Sequence, residues 1–268
     1  MILETSALCG KLAELQVSRK FYIATATKIS NAAGALVRRM LGWAKDIPEK
    51  EQAAIKARAT RILKSALSGK EPHADDAAIH TALAGDLLVV VSTLEPLEKR
   101  RRAVELEMAK TARQLAVAAW AKQVRGLGDL ALGIIVGEAG DLSNYASVDR
   151  LWKRLGLAPY QGKALSTWAR EGGLKAEDWV AAGCSRRRRA EIFACVGDPV
   201  FRHQTMIGGP YRIVYEKRRA RTSETHPDWS KLRSNLDALR IMTKALIEDL
   251  WKAWRKANVE PLQHLKAA

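Results

Sequence analysis

An all-α fold is what this sequence predicts, on three observations. Ala, Leu, Lys, Arg and Glu dominate its 268 residues, and only eight prolines interrupt them. Alternating β-branched patterns of the kind that mark strands are nearly absent. The one strand-like run, Leu87-Leu88-Val89-Val90-Val91, sits inside a longer helical pattern and reads as a buried helix turn. The expected architecture is a helical bundle or coiled-coil-like arm over residues 1–120, followed by a helix-hairpin-helix-containing domain over residues 121–268.

Residues 4 to about 43 read as one long helix or two stacked ones. Leu8, Leu12, Leu15, Ile29, Ala33, Leu36, Val37, Met40 and Leu41 recur mostly at helical spacing. Trp43 and the Ile47-Pro48 pair mark its end. A second helix starts near Pro48 and runs to about Ser68, with Gly69 as its C-terminal cap. Residues 69–74 form a loop. From Asp75 a helical region runs towards Ala121, and Asp75-Asp76 suit the acid-favouring start of a helix. Pro96 is expected to interrupt this region and open its second part as a first-turn proline. Residues 98–114 are rich in charge and carry few apolar side chains. They read as a solvated bundle helix, ahead of a strand-bridging or dimerisation arm that would make the N-terminal helices a homodimer contact.

The most informative stretch follows. Arg125-Gly126-Leu127-Gly128 is a tight glycine hairpin, and a small apolar helix runs from Leu130 to Ala139 before Gly140-Asp141. That order resembles a helix-hairpin-helix, which offers backbone N–H groups to a nucleic-acid phosphate, and it fits an ordinary turn between two core helices equally well. Glycine permits left-handed dihedrals and close backbone approach. The amides that open the next helix are unpaired and lie at its positive end, where an anion is favoured. Glu138 can accept a hydrogen bond near the hairpin. Ser147 caps a helix through Leu155, which Gly156 ends. Lys175 to Ala182 is a short helix, and Ser185 caps another that begins Arg186-Arg187-Arg188-Arg189. Gly208-Gly209-Pro210 breaks the chain. Tyr211–Thr222 is a basic helix, and Trp229–Ala257 a long terminal one in which Trp251 and Trp254 share a core-facing side.

Charge bounds the function. The formal net charge is +16 and the pI near 10.0, which points to polyanionic partners. Residues 141–268 hold 24 Lys+Arg against 14 Asp+Glu, so the excess concentrates after the hairpin. No run of eighteen apolar residues exists, so no transmembrane helix and no membrane partner are expected. The N-terminus lacks the basic and apolar segments of a signal peptide. Cys9, Cys184 and Cys195 lack metal-ligand spacing and fit reduced thiols in a cytoplasm. The five histidines show no paired ligand spacing, so neither a metal nor another cofactor is expected.

Residues 124–160 resemble the C-terminal domain of the insertion-sequence 110/116/902 transposase family. Val124-Arg125-Gly126-Leu127-Gly128 stands where that family has a Pro-Gly-Ile-Gly hairpin. Ile134 to Leu142 looks like its Leu-Ala-Glu-Ile-Gly-Asp helix end, Tyr145-Ala146-Ser147 like its Phe-x-Ser helix start, and Leu155-Gly156-Leu157-Ala158-Pro159 like its Gly-Leu-x-Pro exit. The likeness extends more loosely over residues 95–257. It implies DNA recombination in a mobile-element or prophage setting, and a guide RNA as a further partner. Two departures matter. Residues 1–120 read as helices where the family has an RNase-H-like carboxylate domain. After Pro159 the chain reads Tyr160-Gln161-Gly162-Lys163, without the family's nucleophilic serine between Gln and Gly. Ser166 is the one candidate substitute, with Lys163 able to neutralise phosphate; capping by Ser166 is the preferred alternative.

These departures favour a non-catalytic DNA-binding relative, cytoplasmic and nucleoid-associated. The alternatives are a divergent serine-dependent transposase acting with a partner catalytic domain, and an RNA-binding structural partner. The expected nucleic-acid contacts are Arg125, Gly126, Leu127 and Gly128 of the hairpin, with Lys153, Arg154 and Lys163. Arg186, Arg187, Arg188 and Arg189 join them, because four cations at a helix N-terminus oppose its dipole and call for an external anion. Lys217, Arg218 and Arg219 are weaker candidates, since a helix C-terminus favours cations unaided. Duplex or branched DNA is the expected ligand.

Overall fold

The computed structural model describes residues 2–162, 172, 175, 177, 178, 183 and 185–266. Among these the fold is all-α, with no β-strand. The chain divides into two compact units. One comprises Val17–Glu105; the other joins Met1–Gln16 to Leu106–Ala268. No single described helix is long and apolar enough to cross a membrane.

Four helices contribute to the Val17–Glu105 unit: α1 (Ile2–Met40), α2 (Glu49–Ser68), α3 (Ala77–Ala82) and α4 (Ala84–Ala112). Gly69 ends α2 in the left-handed region at φ 62°, as its position predicts. Val37, Ala59, Ile62, Leu83 and Leu87 form the core. Arg19 of α1 donates to Glu105 of α4 at 2.8 Å, and Glu105 also accepts from Arg101 at 2.8 Å.

Two expectations fail in this unit. Pro96 does not open a helix; it lies inside α4, which runs unbroken through it. A mid-helix proline costs about 3 kcal/mol, and flanking contacts outweigh that cost: Leu87 and Leu94 are buried before it, and Arg101 pairs with Glu98 and Glu105 after it. The break falls instead at Leu83, where the path bends by 83°. Asp76 is no helix cap, for its side chain makes no cap bond. It is buried and accepts from Arg58 at 3.0 Å and Arg61 at 2.5 Å. The Arg61 hydrogen bond, against the opposing effect of burial, holds the Asp76 carboxyl below the usual carboxylate value.

The second unit is built around α6 (Asp129–Ala139), in which residues 131–136 are all buried. Gly137 lets α1 approach: an added Cβ would lie 2.7 Å from Gln16 Cβ and 2.8 Å from the Leu12 carbonyl. Gly133 does the same more loosely for α4, with the Met108 carbonyl 3.3 Å away. Around this axis stand α5 (Ala118–Gln123), α7 (Val148–Arg154), α8 (Arg186–Ile192), α9 (Asp198–Gln204), α10 (Pro210–Thr225) and α11 (Lys231–Lys266). A five-residue π segment, Phe193–Gly197, joins α8 to α9 in one continuous helical run.

Tryptophans fasten α11 to the segment before and within α7. Trp152 Nε1 donates to the Lys244 carbonyl at 3.0 Å, Trp251 Nε1 to the Tyr145 carbonyl at 3.2 Å, and Trp254 Nε1 to Asp141 at 3.0 Å. Trp254 is buried and Trp152 and Trp251 are half-buried, and each indole satisfies its one donor.

Candidate nucleic-acid interface

Two places gather the residues singled out from sequence. The first is the hairpin. Leu127 N donates to the Val124 carbonyl at 3.0 Å, closing the turn, and Gly126 sits at φ 92°. The close approach that Gly126 permits is made by protein: an added Cβ would meet Val200 Cα at 2.7 Å and the Pro199 carbonyl at 2.9 Å. Leu127 is buried. Gln204, itself buried, donates to the Arg125 carbonyl at 3.3 Å and accepts from Tyr211 N at 3.1 Å, tying the hairpin to the start of α10. The outer edge remains open. Arg125 and Gly128 are exposed, and no side chain caps the start of α6. Asp129 occupies its first turn and pairs with Arg113 at 2.5 Å.

The second place is the junction of α7 and α8. Gly156 turns the chain at φ 73°, and an added Cβ would lie 2.8 Å from Arg189 Cβ and 3.0 Å from the Ser185 carbonyl. The end of α7 therefore rests against the start of α8. Ser185 caps α8, its hydroxyl accepting from Arg188 N at 3.3 Å, as its position predicts.

The four arginines then divide. Arg188 turns inward: its Nε donates to Glu138 at 2.8 Å and its Nη1 to the Arg154 carbonyl at 3.0 Å. Glu138 is buried and also accepts from Gln16 at 2.9 Å, so one carboxylate joins α1, α6 and α8. Arg189 lies over the Phe193 ring at 5.1 Å, and burial, with Arg240 alongside, lowers its pKa despite Asp237. Arg186 and Arg187 stay exposed.

Beside them, exposed Lys153 and Arg154 end α7, and the Lys153 side chain approaches Gly183 at 3.8 Å from its would-be Cβ. Arg154 is exposed, yet its Nε donates to the Glu138 carbonyl at 3.3 Å and its guanidinium also meets the Tyr145 hydroxyl. Arg150 also belongs to this face. It stands three and four residues before Lys153 and Arg154 on α7, and that helical spacing was a readable signal for it. No described acid pairs with Arg150, Lys153, Arg186 or Arg187.

The remaining candidates scatter. Arg218 pairs with Asp237 at 2.5 Å, and Arg219 donates to the Lys231 carbonyl at 3.1 Å. Both help hold α10 to α11. Lys217 is exposed on α10, away from these bonds. Lys163 and Ser166 lie outside the described residues. No cluster of potential metal ligands forms among the described residues. The brace supplied by Gln204 was not readable from sequence, because its two partners lie 79 and 7 residues away on other elements. No family profile matches the chain, and neither a curated protein nor a solved structure does.

Proposed function

We propose that this chain binds nucleic acid, duplex DNA foremost, through the phosphate backbone, using Arg150, Lys153, Arg154, Arg186 and Arg187. One observation carries the reading. The fold gathers these like charges at the α7–α8 junction, where no described acid pairs with any of them, while Arg188 takes the buried Glu138 carboxylate and Arg189 the Phe193 ring. Like charges one helical turn apart repel by a few tenths of a kcal/mol per pair, and cations at a helix start oppose its dipole. A polyanion removes both penalties and releases its counterions on binding. The net charge of +16 acts in the same direction at long range. Contacts of this type position a duplex without reading its sequence. A mobile-element setting rests on the motifs in residues 124–160.

Fluorescence anisotropy with duplex, branched and single-stranded DNA and with folded RNA, each at two salt concentrations, tests this. Duplex affinity should fall steeply with salt and vary little with sequence. Replacing Lys153, Arg186 and Arg187 by Ala should lower the salt slope by about one per cation removed. An unchanged slope would remove the junction from the interface, and tighter binding to folded RNA would make RNA the ligand.

A further inference from the structure

The turn between α9 and α10 puts apolar side chains where a folded chain normally hides them. Met206 is 93% exposed and its neighbour Ile207 51%. Exposed apolar residues are common singly. Two in succession at the tip of a held turn are a different matter. The turn is fixed from both sides. Thr205 Oγ1 donates to the Phe201 carbonyl at 2.9 Å, and Ile207 N to the Gln204 carbonyl at 3.4 Å. Gln204 bonds both Tyr211 N and the Arg125 carbonyl, and Gly209 is buried against the Gln204 side chain. The tip is thereby presented on a rigid base.

The surroundings of this tip are cationic. The Arg125 backbone is tied to the base of the tip through Gln204, and Lys122 precedes Arg125 by three residues at the end of α5; both side chains are exposed, and no described acid pairs with either. Arg202 is shared with Asp198, and Arg212 with Glu216. The open edge of the hairpin at Gly128 belongs to the same end of the unit, since Gly126 rests on Val200 and His203. An apolar point with unpaired cations in the segment braced to its base suits a polyanion that also offers an apolar slot. A stacked base step in duplex DNA is such a ligand.

We infer that Met206 and Ile207 form a wedge that enters between neighbouring base pairs and kinks the duplex, while Lys122 and Arg125 hold the flanking phosphates. Insertion of Met, Ile or Leu side chains at a base step partly unstacks it and bends the helix. Flexible pyrimidine–purine steps open at least cost. The wedge therefore favours TA and CA/TG steps without any base-edge contact. This inference rests on the proposed duplex binding and adds a site and a step preference to it.

The test uses the full chain and duplexes carrying 2-aminopurine beside a central TA step, with donor and acceptor dyes at the ends. Binding should raise 2-aminopurine fluorescence and shorten the end-to-end distance. The double variant Met206→Ala/Ile207→Ala should lose both signals and bind the TA duplex roughly tenfold more weakly, with an unchanged salt slope. The single variant Met206→Leu should keep them, and circular dichroism of each variant should match the parent. Binding by the parent chain without unstacking or bending overturns the wedge alone. Absence of duplex binding overturns both readings. Binding to anionic phospholipid vesicles that the double variant loses, with DNA signals intact, would assign the tip to a lipid surface and overturn the wedge.

Discussion

At the glycine hairpin, backbone meets backbone; at the α7–α8 junction, side chains meet solvent. Both are bends beside a helix start, and both have a glycine with positive φ. At the hairpin, Gly126 lies against Pro199 and Val200, so its lack of a side chain serves packing. At the junction, Gly156 brings two helix ends together and crowds their cations. The same residue type thus builds a brace in one place and a charge cluster in the other. What distinguishes them is the neighbouring element: an apolar helix face in the first case, an arginine-headed helix in the second.

Removing the carboxylate beneath the junction should have the largest effect. Glu138→Ala leaves Arg188, whose side chain is 17% exposed, without its ion-pair partner. Breaking such a pair from one side costs about 3–5 kcal/mol, measurable as a lowered urea midpoint. The double change Glu138→Leu/Arg188→Met should recover much of that loss. A cost below about 1 kcal/mol would show that Glu138 does not anchor the junction.

Next comes Gly126→Ala, which combines an unfavourable left-handed φ with overlap against Val200 Cα at 2.7 Å. A loss of about 2 kcal/mol or more is expected. Gly128→Ala, at a position with nothing within 4 Å, should be far milder. Equal effects at the two positions would erase the distinction between the braced inner face of the hairpin and its open edge.

A third test sharpens the contrast between engaged and free charge in the Val17–Glu105 unit. The Asp76 pKa is lowered on folding, chiefly by its hydrogen bond from Arg61. Its stabilisation is complete above the unfolded value of about 3.9 and is lost as pH falls through the lower folded value. Urea midpoints of the parent chain should therefore decline below about pH 4, and Asp76→Asn should show a shallower decline. A parallel decline in the two would separate Asp76 from the acid response.

The smallest effect on stability belongs to the free cations. Arg186→Ala/Arg187→Ala should change the unfolding free energy by no more than about 0.5 kcal/mol, because neither side chain has a described ion-pair partner. Its effect should register in the salt dependence of duplex binding instead. A large stability loss with unchanged binding would reverse the roles assigned to the inner and outer arginines.

How much of this was legible follows from the range of each interaction. The caps at Gly69 and Ser185 depend on residues a few positions away, and the sequence displays them. The burial of Trp254 follows from helical period, although its hydrogen bond to Asp141, 113 residues distant, does not. Pro96 misleads because local propensity says break while neighbouring packing and ion pairs sustain the helix. Asp76 misleads similarly: a start-of-helix position suggests a cap, and two arginines on α2 claim it. Within Arg186–Arg189 the sequence presents four equal charges. Only the buried Glu138, 50 residues away from Arg188, and the Phe193 ring beneath Arg189 separate the inner pair from the outer pair.

The π segment Phe193–Gly197 sets the phase of everything beyond it. Its wider turn is accommodated against α11, where an added Cβ on Gly197 would meet Thr243 Oγ1 at 2.6 Å. Excising one residue there would rotate α9 by about 100° about its axis and shift it by about 1.5 Å. Pro199 and Val200 would then swing off Gly126 while the arginine-bearing head kept its place. This short wide turn works as a timing gear, aligning the seat of the hairpin with the basic face from which the same rod begins.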